Sequence, residues 1–385
     1  MKRTLAIVAA VALGACTLLE PAPPPAICSA RGFAVEIEFP SAGRHDCVIA
    51  PDGWVIVSVD HEPAVVEGIN PSPWFAFRIN SRTARTVSIT LDYTDYKHRY
   101  RPHVSTDGVR WTQLPDTAVT LNERQTRATL SFEAQAGVTW IAAQPLSSAE
   151  DNVEWTRRAL AGAGFTQVEY GRSLEGRPLI GFVGGGGIHA IVALTRQHPP
   201  ETTGQEAYRG FVERLLERSD TKAVAFRSRH RIVLAPMPNP DGVDGGHWRL
   251  NAGGIDLNRD WGKFTQPETQ ALSAWIQEQA GDRRVVSMLD FHSTDRTVIY
   301  APPLDAASPT IDLLPALREK LDSVMPAPVP WTYSHNPEGG TSKGWALDVL
   351  KAPGLTVELW DHEPIANARA LGAAAADALI DHFAK

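Results

Sequence analysis

The hydrophobic period of this chain changes once, at "PLSSAE" (residues 145–150), and that change limits what it can fold into. Before it, from about residue 33 to 143, apolar and polar residues alternate in short runs: "FAVEIEF", "WVIVSVD", "WFAFRIN", "TVSITLDY", "RATLSFEA" and "VTWIAAQ", parted by Gly, Pro, Asn and Asp. A period of two puts every second side chain on one face, so each run is a strand with one face to bury, and the series predicts an antiparallel β-sandwich. After it, amphipathic stretches at 152–163, 205–218, 267–280 and 311–324 alternate with apolar runs at 190–194, 232–235, 285–290 and 355–359. Strands apolar on both faces need cover on both, which predicts an α/β fold: a mixed, mainly parallel sheet with helices on both faces.

A chain of 385 residues exceeds one ordinary core. The expected division is a β-sandwich domain over 31–146 and an α/β domain over 147–385. The net charge is −7, or −9 without the first fifteen residues, whose only charges are Lys2 and Arg3; nucleic acid is thereby disfavoured as a partner. That opening, "MKRTLAIVAAVALGAC", has a basic start, an apolar stretch too short to span a bilayer, and small residues before Cys16. It reads as an export signal over 1–15. Its end resembles the lipobox of bacterial lipoproteins, with Cys16 as the acylated residue and 16–30, Pro-rich, as a tether; the other reading is an ordinary signal peptide with an incidental cysteine. Thr17 in place of Asp points, by the same resemblance, to the periplasmic face of a Gram-negative outer membrane. The membrane would be touched only through the lipid. Cys28 and Cys47 are then left to form a disulfide or to remain two buried thiols.

"GGGG" (184–187) lacks a following Lys-Ser/Thr and leads into a strand, so it reads as a turn and not as a phosphate cradle. In α/β sheets ligands gather at the carboxyl ends of strands, and here the apolar runs close on "TRQHPPE", "PMPNPDG" and "LDFHS", while "LTVELW" carries a glutamate inside it. His198 and Glu201 are close enough in the chain to hold one ion, and His292 can arrive from a neighbouring strand. Two His and one Glu leave a fourth position open, the donor set of a hydrolytic zinc. Such chemistry also needs a base, and Glu358 is the candidate if it faces a polar cavity; the alternative is an edge-strand glutamate facing solvent.

"HPPE", "HWRLNAGGIDLNRDW", "DFHS" and "TVEL", in this order, resemble the zinc carboxypeptidase family over roughly residues 150–383. "SPWFAF" and "HRYRPHVSTDGVRW" are similar to the domain that precedes the catalytic unit in its cytosolic carboxypeptidase branch. The resemblance implies one Zn2+ per chain on His198, Glu201 and His292, with Glu358 as general base and then acid. It implies that Asp256 orients His198, that Arg249 stabilises the oxyanion, and that Asn258 and Arg259 grip the substrate's terminal carboxylate. Two departures are visible. Pro200 stands where members more often carry a small residue, and the closing tyrosine of the family falls on Tyr333, on His335 or on neither. Counting back from Glu358 to Trp345 puts Lys343 near the base of the pocket for the terminal side chain, where it would favour an acidic residue, or else leaves it as an exposed lysine at a helix start.

The implied function is a zinc metallocarboxypeptidase acting on peptides with a free C-terminus. Alternatives on the same site are an envelope amidase acting on cell-wall stem peptides and a deacylase of acyl-amino acids. A peptide-binding lipoprotein with an inert catalytic unit is the alternative of another class.

Overall fold

A computed structural model of the chain describes residues 27–30, 32–51, 53–59, 62 and 71–384. The expected signal peptide, Cys16 and most of the expected tether lie outside the described residues. Two sheets form the first unit. One runs in the order Cys28–Ala30, Phe33–Glu36, Ala76–Ser81, Gly137–Ala142, His103–Ser105, Thr112–Gln113; the other in the order His45–Ile49, Val55–Val59, Arg85–Asp92, Arg127–Ala134, Val119–Leu121. The alternation read from the sequence sets the inner face. Val55, Val57 and Val59, Phe77 and Ile79, Val87, Ile89 and Leu91, and Ala128, Leu130 and Phe132 all point into one core. One pairing departs from the wholly antiparallel expectation: Val55–Val59 runs parallel to Arg85–Asp92. A parallel pair needs a crossover, and the chain makes it by passing through the opposite sheet as Ala76–Ser81 before returning. A disulfide between Cys28 and Cys47, Cα atoms 5.6 Å apart, ties the two sheets at the start of the unit.

The second unit is an eight-stranded mixed sheet in the order Thr166–Arg172, Pro178–Gly185, His230–Ala235, His189–Thr195, Arg284–Thr294, Gly354–Trp360, Val298–Ala301, Trp331–Tyr333. The four central strands are mutually parallel. Alternate residues of one strand serve opposite faces. Ile191 and Ala193 pack among side chains from the helices Thr202–Leu215, Leu313–Val324 and Ile365–His382, while Ala190, Val192 and Leu194 pack with residues of Pro267–Ala280 and Ser342–Asp348. Helices therefore cover both faces, as the apolar runs require.

Helix Ile365–His382 escaped the periodicity reading because alanine fills it, and alanine gives little contrast between faces. Its small residues serve close packing: a Cβ at Gly372 would lie 1.8 Å from the carbonyl oxygen of Ala207 on the neighbouring helix. "GGGG" ends one strand and turns into the next, with Gly185 and Gly187 both at positive φ.

Candidate active site

The loop leaving strand His189–Thr195 is held by a buried arginine. Arg196, at φ 64°, sends its guanidinium to the side chain of Gln205 (2.6 Å) and to the carbonyl of Pro199 (2.7 Å), fixing the loop from inside. Glu201 then occupies the N-cap of helix Thr202–Leu215 without capping it. Its carboxylate instead reaches Nδ1 of His198 (2.8 Å) and Nδ1 of His292 (2.7 Å), while the helix N-terminus favours its negative charge. The two Nδ1 atoms are 3.2 Å apart, and one donor atom from each of the three residues falls within 4.8 Å of the others.

Each imidazole has its other nitrogen on a carboxylate: His198 Nε2 lies 2.9 Å from Asp256 and His292 Nε2 lies 2.8 Å from Asp290. A histidine that donates through Nε2 keeps the Nδ1 lone pair for a cation. Asp256 is the partner expected for His198. Asp290 was not anticipated, although its signal was present: in "LDFHS" it stands two residues before His292 on the same strand face. It also accepts from Gln197 and Ser342, so it is itself held. Glu201, Asp256, Asp290 and Glu358 thus surround two imidazoles, with Arg249 paired to Asp256 (2.7 Å) as the nearby counter-charge. So much buried negative charge around two inward-facing nitrogens suits a divalent cation, and the two-His-one-Glu donor set suits zinc.

Glu358 pairs in register with His292 on the adjacent parallel strand, which sets the carboxylate beside the cluster. It lines a cavity of about 530 Å³, and its Oε2 has no hydrogen-bond partner among the described residues. Burial, and then the charge of Glu201, push its carboxyl up to about 7. The same cavity is lined by His198, Arg249, Asn258, Arg259 and Lys343. Asn258 is fixed by the Ser342 backbone N–H (2.9 Å), and Arg259 donates to the Asn258 carbonyl (2.7 Å). The Lys343 ammonium donates to the Ser334 carbonyl, and burial lowers its pKa. Tyr333 is placed elsewhere: its ring stacks on Trp331, 5.9 Å between centroids, and packs against the core. His335 pairs with Asp348 (2.9 Å). The tyrosine that lines the cavity is Tyr300, on a strand too short and too plain in sequence to have been singled out, and Arg296 lines it nearby.

Residues 163–371 match the family model described as Zinc carboxypeptidase. Among curated proteins, the chain is 28% identical to an uncharacterized protein of Zymomonas mobilis over 198 residues, 50% of this chain and 51% of that one. It is 32% identical to cytosolic carboxypeptidase 2 of Xenopus tropicalis over 110 residues, 28% of this chain and 11% of that one. The chain therefore spans about half the length of the first relative and a small share of the second. In fold it is similar to the metallo-carboxypeptidase of Burkholderia cenocepacia (TM-score 0.77, 20% identity, 91% of this chain and 98% of that one) and to that of Pseudomonas aeruginosa (TM-score 0.73, 20% identity, 90% and 98%). The match covers more than half of the chain and takes in the metal cluster and Glu358: this protein belongs to the zinc carboxypeptidase family.

Proposed function

We propose that this protein is a metallocarboxypeptidase that hydrolyses the last peptide bond of peptides and prefers an acidic terminal residue. The observation that carries the reading is one cavity lined by His198, Arg249, Asn258, Arg259 and Glu358, in which the Glu358 Oε2 has no hydrogen-bond partner among the described residues and the strand register sets Glu358 beside His292 of the His198–Glu201–His292 cluster. His198, Glu201 and His292 would hold zinc, which when bound lowers the pKa of water and polarises a carbonyl. Glu358 takes the proton of the attacking water and hands it to the leaving amine, and its raised affinity for a proton suits both transfers. Arg249, braced by Asp256, donates to the oxygen that becomes negative as the carbonyl turns tetrahedral. Asn258 and Arg259 hold the free terminal carboxylate, for which a planar guanidinium is well shaped.

The preference for an acidic side chain rests on Lys343 in the same cavity, whose ammonium pairs with no carboxylate among the described residues. A desolvated ammonium gains most from a substrate that brings the missing negative charge. Blocked dipeptides ending in Glu, Phe or Lys test it. The Glu substrate should be cleaved fastest, and Lys343→Met should remove most of that advantage, which is about tenfold or more for a pair worth at least ~1.4 kcal/mol. Equal cleavage of the Phe substrate by the unaltered enzyme contradicts the preference.

Export and lipid anchoring through Cys16 belong to the same proposal. The Cys28–Cys47 disulfide supports an oxidising compartment. Labelling with a fatty acid in cells should mark the protein, and Cys16→Ala should abolish the label; labelling that persists contradicts the anchor.

A further inference from the structure

Arg249 sits on a stretch of the catalytic unit, residues 245–256, that has no helix or strand to fix it. Asn239 and Asn251 hold its far side from within the same unit, and the segment around Arg249 is held by the β-sandwich unit. Glu62, buried at 8% exposure, accepts three consecutive backbone N–H groups: Trp248 on Oε1 (3.0 Å), and Arg249 and Leu250 on Oε2 (2.9 and 3.1 Å). Nδ1 of His247 lies 2.8 Å from the same carboxylate. The indole of Trp248 is buried in the sandwich core and meets the Tyr96 ring edge-on at 5.0 Å. The preceding turn is equally tight: Ser41 N–H donates to the Asp244 carbonyl (2.9 Å), and a Cβ on Gly246, at φ +66°, would lie 1.6 Å from the Ala42 carbonyl oxygen. From this anchored backbone the Arg249 side chain reaches Asp256, which holds His198.

We infer that Glu62 is a positioning residue for catalysis, through which the β-sandwich unit sets Arg249 in the cavity. A carboxylate on three successive N–H groups fixes the direction of that short stretch of backbone, and hence where the guanidinium points. A donor aimed at a developing oxyanion loses its effect when displaced by about 1 Å. The sandwich is then part of the catalytic apparatus although none of its described residues lines the cavity. The inference rests on the reading of Arg249 as oxyanion donor.

The test is a double-mutant cycle on the full zinc-loaded chain with Glu62→Ala and Arg249→Ala, measuring kcat, KM, bound zinc and melting temperature. Glu62→Ala should lower kcat about ten- to hundredfold with KM changed much less and one zinc retained. In the Arg249→Ala background the same change should lower kcat by no more than about twofold, because the group it positions is gone. Glu62→Gln, which keeps the volume and one acceptor, should give a smaller loss of the same kind, and it carries the cycle if the alanine variant does not fold. A kcat loss that multiplies fully with that of Arg249→Ala overturns the inference, as does an unchanged kcat. Full activity in Arg249→Ala alone would instead sink the oxyanion reading on which the inference stands.

Discussion

At the residue scale the site is a contest between burial and charge, and Glu358 is where the outcome bears on chemistry. Without a cation, burial and Glu201 hold its carboxyl near 7. A bound divalent ion pulls it lower, and the proposed base works only when ionised, so activity should rise with pH along a limb whose midpoint lies at or below about 7. Activity that is highest near pH 5 and falls as pH climbs through 7 contradicts that assignment. On the histidines burial acts with the opposite sign and lowers them, but carboxylates on both nitrogens outweigh it, and without a cation His198 and His292 are held above the ordinary histidine value. The carboxylate that binds His292 should therefore matter to the metal: Asp290→Asn is expected to weaken zinc about 10- to 100-fold in a chelator competition, and unchanged affinity would show that Asp290 serves only the strand.

At the element scale, the strand ends explain what was legible in the sequence. Apolar runs of plain period placed the central strands, and the polar residues that close or interrupt them, His198, Glu201, His292 and Glu358, fall on neighbouring strands or on the loop that leaves one. A parallel sheet turns such sequence-distant residues into neighbours, so the metal cluster could be assembled before any coordinates. Residues whose task is to hold others were harder to see. Arg196 reads as one more charge in a loop, yet it is buried and braces the Pro199 carbonyl. Asp290 reads as the polar end of a strand. Tyr333 and His335 were both open as the family's closing residue because their stretch resembles its closing segment, but the Tyr333 strand pairs with Val298–Ala301 and its ring stacks on Trp331, whereas Tyr300 on that partner strand lines the cavity. Helix Ile365–His382 was missed because its packing depends on small residues and not on an apolar stripe.

At the scale of the whole molecule, two units meet across charged and aromatic contacts that no periodicity reveals. Arg99 of the sandwich reaches Asp361 with both Nε and Nη2 at 2.8 Å, and Asp361 follows the strand that carries Glu358 by one residue. The pair is nearly sealed, with 11% and 3% of the side chains exposed. Removing one partner of such a pair leaves an uncompensated charge, so Arg99→Ala should destabilise the protein by roughly 3–5 kcal/mol in denaturant unfolding; a loss below about 1 kcal/mol would mean the pair behaves as a surface one. Trp248 makes the same point through apolar area, since a side chain from the α/β unit completes the sandwich core. The sequence marked where one texture gives way to another, but the seam between the units is written in single residues, Glu62, Arg99 and Trp248, whose contacts across it follow no hydrophobic period. The measurement that tests the account most directly is release of the terminal amino acid from a blocked dipeptide ending in Glu by the zinc-loaded chain and by Glu358→Gln. The account predicts release by the unaltered protein and a loss of at least about 100-fold in the variant with one zinc still bound. Undiminished release by Glu358→Gln, or no release by an unaltered chain carrying its zinc, would contradict it.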